Sequence, residues 1–107
     1  MSVQSDIREA KRRLVAKFHP QRIILFGSQA RGSAHPRSDI DLLVVLPYQG
    51  NRRRLFIEMD RTLRGIEQAF DLIIRTPEQF DYNREVPGFV DRYASKEGKV
   101  IYARRAA

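Results

Sequence analysis

Residues 39–46 read DIDLLVVL, and no other stretch restricts the fold so tightly. Leu42 to Leu46 form the longest uninterrupted apolar run, five residues. That length suits a buried strand and is far short of the ~20 residues of a membrane span. Pro47 stops the run, so the strand is expected over Asp39 to Leu46. Asp39 and Asp41 stand at its mouth. On a strand, residues two apart share a face, with Cα atoms about 6.6–6.8 Å apart. Two such carboxylates repel, and each raises the other's pKa unless a cation lies between them. Hard oxygen ligands suit Mg²⁺. An isolated pair of this kind is more often a turn cap with a solvated neighbour.

Around this strand the pattern alternates. Ile7, Ala10, Leu14 and Phe18 recur at helical spacing, with Ser5 as the expected N-cap and Pro20 as the stop. Arg22 to Phe26 (RIILF) reads as a buried strand. A short helical turn is expected at Gln29 to Arg31, closed by Gly32, then a loop over Ser33 to Ser38. After a turn at residues 47–51, a long helix is expected to carry Leu55, Phe56, Met59, Leu63, Ile66 and Phe70 on one face. Phe70 to Arg75 reads as a third strand. Thr76, Pro77 and Gln79 form a helix start, with Thr76 as N-cap and Gln79 completing a capping box. A break at Val86-Pro87-Gly88 precedes a short helix bearing Phe89, Val90 and Tyr93. Gly98 ends it, and Lys99 to Tyr102 reads as an edge strand. The expectation is an α+β fold, one mixed sheet of about four strands with helices packed against it.

Length and composition narrow the chemistry. The 107 residues suit a single domain, 1–107. The chain has no cysteine, which excludes disulfides, thiolate metal sites and a thiol nucleophile. With His19 and His35 alone, a histidine-rich metal site is also excluded. No signal peptide is legible, so a cytoplasmic location is expected. The net charge is +7, and 16 of the 20 basic residues are Arg. Arg suits phosphate or carboxylate partners, although a solvated basic surface explains the excess equally well.

Two further features bear on the acid pair. Asp71 lies at the start of the third strand, just ahead of Leu72, Ile73 and Ile74. If the second and third strands are neighbours, Asp71 converges on Asp39 and Asp41. Three acids can hold two metals ~3.5–4 Å apart, an arrangement that clamps both oxygens of an in-line displacement. Gly27-Ser28 directly follows the first strand. Glycine permits close backbone approach, and amides opening a turn suit a phosphate. The chain lacks both GK[ST] and GxGxxG, so P-loop and Rossmann readings find no support.

From Gly27 the sequence runs GSQARGSAHPRSDIDLLVV: Gly-Ser, ten residues, then Asp-x-Asp. This resembles the minimal nucleotidyltransferases of the DNA polymerase β superfamily, directly over residues 22–75. The resemblance implies the nucleotidyltransferase fold. It implies that Gly27 and Ser28 hold the terminal phosphates of a nucleotide, and that Asp39 and Asp41 bridge two Mg²⁺ ions. Asp71 matches the third carboxylate, which binds the catalytic metal and helps deprotonate the attacking hydroxyl. Arg31 matches a family Arg that serves either the triphosphate or a structural contact. The implied reaction transfers a nucleoside monophosphate, AMP from ATP, to a hydroxyl.

Bare cores of this size resemble the antitoxins of HEPN–MNT toxin–antitoxin pairs. The resemblance implies a HEPN ribonuclease toxin as partner, in a hetero-oligomer, with a toxin tyrosine as acceptor. The alternative is a catalytically idle antitoxin that neutralises its toxin by binding alone. Direct nucleic-acid binding is disfavoured, because clustered acids repel a polyanion. Arg52 to Arg54 fall at a helix start, where the dipole disfavours cations, and point to a phosphate or partner contact or to a solvated face. His35 falls in the loop between the Gly-Ser and Asp-x-Asp segments, and His19 at a helix end. Phe80, Tyr82, Phe89 and Tyr93 read as core or lid residues.

Overall fold

A computed structural model of the chain describes residues 2–32 and 39–105. The first helix, α1, spans Val3–Phe18 and buries Ile7, Ala10 and Leu14. Its N-cap is Ser2 and not Ser5. The Ser2 Oγ accepts from the Ser5 amide at 3.0 Å, and the Ser5 Oγ accepts from the Ser2 amide at 3.2 Å. Ser5 thus fills the third helical position of a capping box, a role more often taken by Glu or Gln. The helix closes on His19, in the left-handed region at φ +47°, with its amide donating to the Val15 carbonyl. Pro20, buried, prevents continuation.

The remaining elements are β1 (Arg22–Phe26), α2 (Ser28–Arg31), β2 (Ile40–Val45), α3 (Arg52–Thr62), β3 (Phe70–Arg75), α4 (Pro77–Asn83), α5 (Val90–Glu97) and β4 (Lys99–Ala103). The sheet order is β3-β2-β1-β4. β1 pairs antiparallel with β2 and β4, while β2 and β3 are parallel. The fold is therefore α+β with a mixed four-stranded sheet, and β4 is an edge strand as its sequence indicated. Parallel neighbours need a crossover, and α3 supplies it.

Two expectations shift. β2 begins at Ile40, so Asp39 sits just ahead of the strand. α3 stops at Thr62, so Ile66 and Phe70 are not on its face. Leu63 caps it and Gly65, at φ +90°, turns the chain. Ile66 and Phe70 still pack on the core, from the turn and from β3. Phe56 is 40% exposed, whereas Leu55, Met59 and Leu63 keep the inward i, i+4, i+8 spacing. The capping box at Thr76 and Gln79, with Pro77 at the first position of α4, forms as read.

Strand alternation splits the core into two layers. Ile23, Leu25, Leu42, Val44, Leu72 and Ile74 pack with α1 and α3. Ile24, Phe26, Leu43 and Val45 pack with Phe80 of α4 and Ala94 of α5. β2 is buried on both faces, with Leu42 to Val45 at 0–1% exposure. Each such side chain contributes roughly 1.5–3 kcal/mol by burial. β2 is therefore a stiff support for whatever its N-terminal end carries.

Candidate active site

The acids sit at one end of the sheet. Antiparallel pairing sets Phe26 opposite Asp41, and parallel pairing sets Asp41 opposite Asp71. Phe26, Asp41 and Asp71 thus form one row across three strands, and Gly27, which follows Phe26 directly, adjoins it. By strand parity Asp41 and Asp71 share the face that α4 and α5 cover. The neighbourhood of β2 and β3, on which the convergence of Asp71 depends, is thus present.

Gly27 is required twice over. Its φ is +76°, a region costly for side chains. A Cβ placed on it would also overlap the Asp41 Oδ2 and lie 3.2 Å from Cγ. The β1–α2 turn therefore runs directly against the Asp41 carboxylate. Ser28 opens α2, with Gly27 as N-cap and Gly32 closing the turn in the left-handed region.

Asp41 is half-buried, while Asp39 and Asp71 are exposed. The Asp41 pKa is raised, first by burial, then by the charges of Asp71 and Asp39, and by a hydrogen bond with Asp71. No cation of the described residues forms an ion pair with it. Among the described residues the ion pairs are Arg12–Glu9, Arg13–Glu9, Arg75–Asp91 and Arg84–Glu85. None involves Asp39, Asp41 or Asp71, in a chain with 16 Arg. Among the described residues no three acidic or histidine side chains already stand in a closed metal-ligating cluster. The donor set nevertheless suits a hard divalent cation: carboxylates only, mutually repelling, and without an ion-pair partner among the described residues.

Arg31 is exposed, and its Nη1 donates to the Tyr93 hydroxyl. The Tyr93 ring packs edge-on to Phe26, with centroids 6.5 Å apart at 77°. α2 is thereby tied to α5 beside the acid row. The sequence marked Tyr93 as core or lid, and nothing local paired it with Arg31, 62 residues away. Arg52, Arg53 and Arg54 open α3 as expected, but at the far end of the sheet. The Ser33–Ser38 loop and His35 lie outside the described residues.

Residues 7–100 match the family model described as a nucleotidyltransferase domain. The chain belongs to that family. Solved structures agree on the nucleotidyltransferase fold. A Sulfolobus solfataricus protein assigned as a nucleotidyltransferase is 24% identical, with a TM-score of 0.61, covering 95% of this chain and 86% of that one. A toxin–antitoxin structure with AMP-PNP is 22% identical, with a TM-score of 0.64, covering 97% and 76%. A toxin–antitoxin MntA–HpeT mutant is 18% identical, with a TM-score of 0.63, covering 98% and 76%. A comparison with curated proteins gives no match. Within this nucleotidyltransferase domain, the acid row and the Gly27-Ser28 turn occupy one end of the sheet, and no helix is long and apolar enough to cross a membrane among the described residues.

Proposed function

We propose that residues 1–107 act as one minimal nucleotidyltransferase domain, a cytoplasmic antitoxin that transfers AMP from ATP to a tyrosine of a HEPN ribonuclease toxin. The observation that carries this reading is the paired Asp41 and Asp71 with the Gly27 turn laid against Asp41, an acid cluster with no ion-pair partner among the described residues. Asp39, Asp41 and Asp71 would hold two Mg²⁺ ions, which when bound neutralise phosphate charge along an in-line displacement. The Gly27-Ser28 turn binds the terminal phosphates through backbone amides and the Ser28 hydroxyl. Asp71 takes the proton of the acceptor hydroxyl. The acceptor oxygen then bonds to the α-phosphorus, the bond to the β-phosphate bridge breaks, and pyrophosphate leaves. Arg31, held by Tyr93, stands beside that turn.

Phosphoryl transfer depends mainly on positioning and charge neutralisation, which an open acidic row on a stiff sheet can provide. The likeness of the fold to toxin–antitoxin structures, one of them with AMP-PNP, supports the partner and the nucleotide. An adenylyl group on a toxin tyrosine adds charge and bulk where RNA phosphates must approach. The test is mass spectrometry of this protein and a HEPN toxin incubated with ATP and Mg²⁺. One AMP mass on a toxin tyrosine is expected. A fully neutralised toxin without added mass would replace transfer by binding alone.

A further inference from the structure

The Gly27-Ser28 turn is held from outside by a residue far along the chain. α2 has four residues, too few to sustain a helix alone, and Gly27 gives it no side-chain cap. Of these four, Ala30 is the buried one. The Arg31 amide bonds back to the Gly27 carbonyl at 3.3 Å. Tyr93 then reaches the turn from α5. Its ring rests edge-on against Phe26, the residue before Gly27. Its hydroxyl accepts from Nη1 of Arg31, three residues after Ser28. Tyr93 therefore touches the chain on both sides of Gly27-Ser28.

α5 is a firm base for that contact. Ala94, next to Tyr93, is buried with Ile24 and Phe26. Two residues before Tyr93, Asp91 is paired with Arg75. At the end of the helix, a Cβ on Gly98 would lie 2.7 Å from the Ile24 side chain and 2.9 Å from the Leu25 carbonyl. The helix on either side of Tyr93 is thus seated on the sheet, while Tyr93 itself is 37% exposed.

The hydroxyl is the informative part. A phenylalanine would fill the contact with Phe26 equally well. The oxygen serves Arg31, and it does so as a neutral acceptor. Arg75 is held by a carboxylate, which cancels its charge. Arg31 belongs to no ion pair among the described residues, so the hydroxyl sets its direction without neutralising it. A guanidinium carries five N–H donors in a planar fork, and a bond to Tyr93 leaves the others for an oxyanion. Phe26 pairs with Asp41, so this charged fork is held at the acidic end of the sheet.

We propose that Tyr93 is a positioning residue for nucleotide binding: its hydroxyl aims the Arg31 guanidinium at the phosphate chain lying on the Gly27-Ser28 turn. Arg31 is then a polyphosphate ligand, and its bond to Tyr93 prepares it for that task. The inference rests on the reading of the acid cluster and its turn as a nucleotide site, and it adds α5 to that site.

The test is calorimetric titration with ATP and Mg²⁺ of the parent, Tyr93→Phe, Arg31→Gln and the double variant. Tyr93→Phe should weaken binding at least about fivefold, the loss expected for a hydrogen bond to a charged group. Its melting temperature without ligand should stay within about 2 °C of the parent, because the ring still packs on Phe26. Arg31→Gln should weaken binding at least as much, and the double variant should bind as Arg31→Gln does, since the hydroxyl acts only through Arg31. A smaller change in Tyr93→Phe, a larger fall in its melting temperature, or a double variant weaker than Arg31→Gln would each overturn the inference. Asp41→Asn separates it from the reading beneath it. Binding that is Mg²⁺-dependent in the parent, lost in Asp41→Asn and unaltered in Tyr93→Phe sinks the role of Tyr93 and keeps the nucleotide site. A parent that binds no ATP in Mg²⁺ sinks both.

Discussion

Asp91 and Asp41 lie on the same side of the sheet, and among the described residues only Asp91 has a cationic partner. Asp91 is wholly buried on α5. Arg75 Nε donates to its two oxygens at 3.2 and 3.1 Å, and Asn83 Nδ2 to one of them at 3.4 Å. Asp41 is half-buried, faces two other carboxylates, and has no basic partner among the described residues. The chain has enough Arg to neutralise both sites, and the described Arg residues neutralise one. The Asp91 site fixes α5 to β3, whereas Asp41 stands among like charges, the arrangement on which the proposed metal binding rests.

That contrast can be broken from either side, and the largest effect belongs to the buried pair. Asp91→Ala leaves Arg75 without its carboxylate and should cost about 3–5 kcal/mol. Thermal unfolding followed by circular dichroism should show a fall of at least about 10 °C. A drop of one or two degrees would mean that the pair is not what holds α5.

Asp41→Asn should behave in the opposite way. Transfer of label from ATP should fall at least about a hundredfold, since even groups that merely support metal ligands cost about 10–100-fold. The Mg²⁺-free protein should meanwhile keep or raise its melting temperature, because a like-charge contact has been removed. A large loss of apo stability would make Asp41 a structural cap.

The smallest effect is the pH dependence of the apo protein. Raising the folded pKa of Asp41 makes the native state the tighter proton binder between the ordinary carboxylate value and the raised one. Stability in EDTA therefore falls as pH rises through that window, and the cost persists at neutral pH. The stability gap between Asp41→Asn and the parent should be near zero in acid, open as pH rises, and close again on adding Mg²⁺. A gap independent of pH and Mg²⁺ would remove the like-charge account.

Much of this was legible in the sequence because it is local. The Thr76-Pro77-Gln79 start needs only neighbours three apart, and Asp39-Ile40-Asp41 before an apolar run announces itself. Asp71 was legible only conditionally, since its register against Asp41 depends on strand order, which no local pattern encodes. The end of α3 was misread because Ile66 and Phe70 prolong the apolar spacing beyond the helix into a turn and a strand. Ser2 and Ser5 are both good caps, and only the geometry decides which one closes the helix. The pairs Arg31–Tyr93 and Arg75–Asp91 span distances in sequence over which side chains leave no signature.

The pairing of Asp41 with Asp71 also bears on how the chain finds its structure. β1 and β2 are antiparallel and join across a short separation, whereas β3 reaches β2 only after the whole of α3 has been traversed. Closing that longer loop costs more entropy before any contact offsets it, and parallel pairing is intrinsically slow. Repulsion between Asp41 and Asp71 opposes that same pairing step and no earlier one. Placing Asp41 and Asp71 on the two strands that meet across the crossover therefore confines their mutual repulsion to a single stage of assembly, leaving the β1–β2 pairing free to form without it.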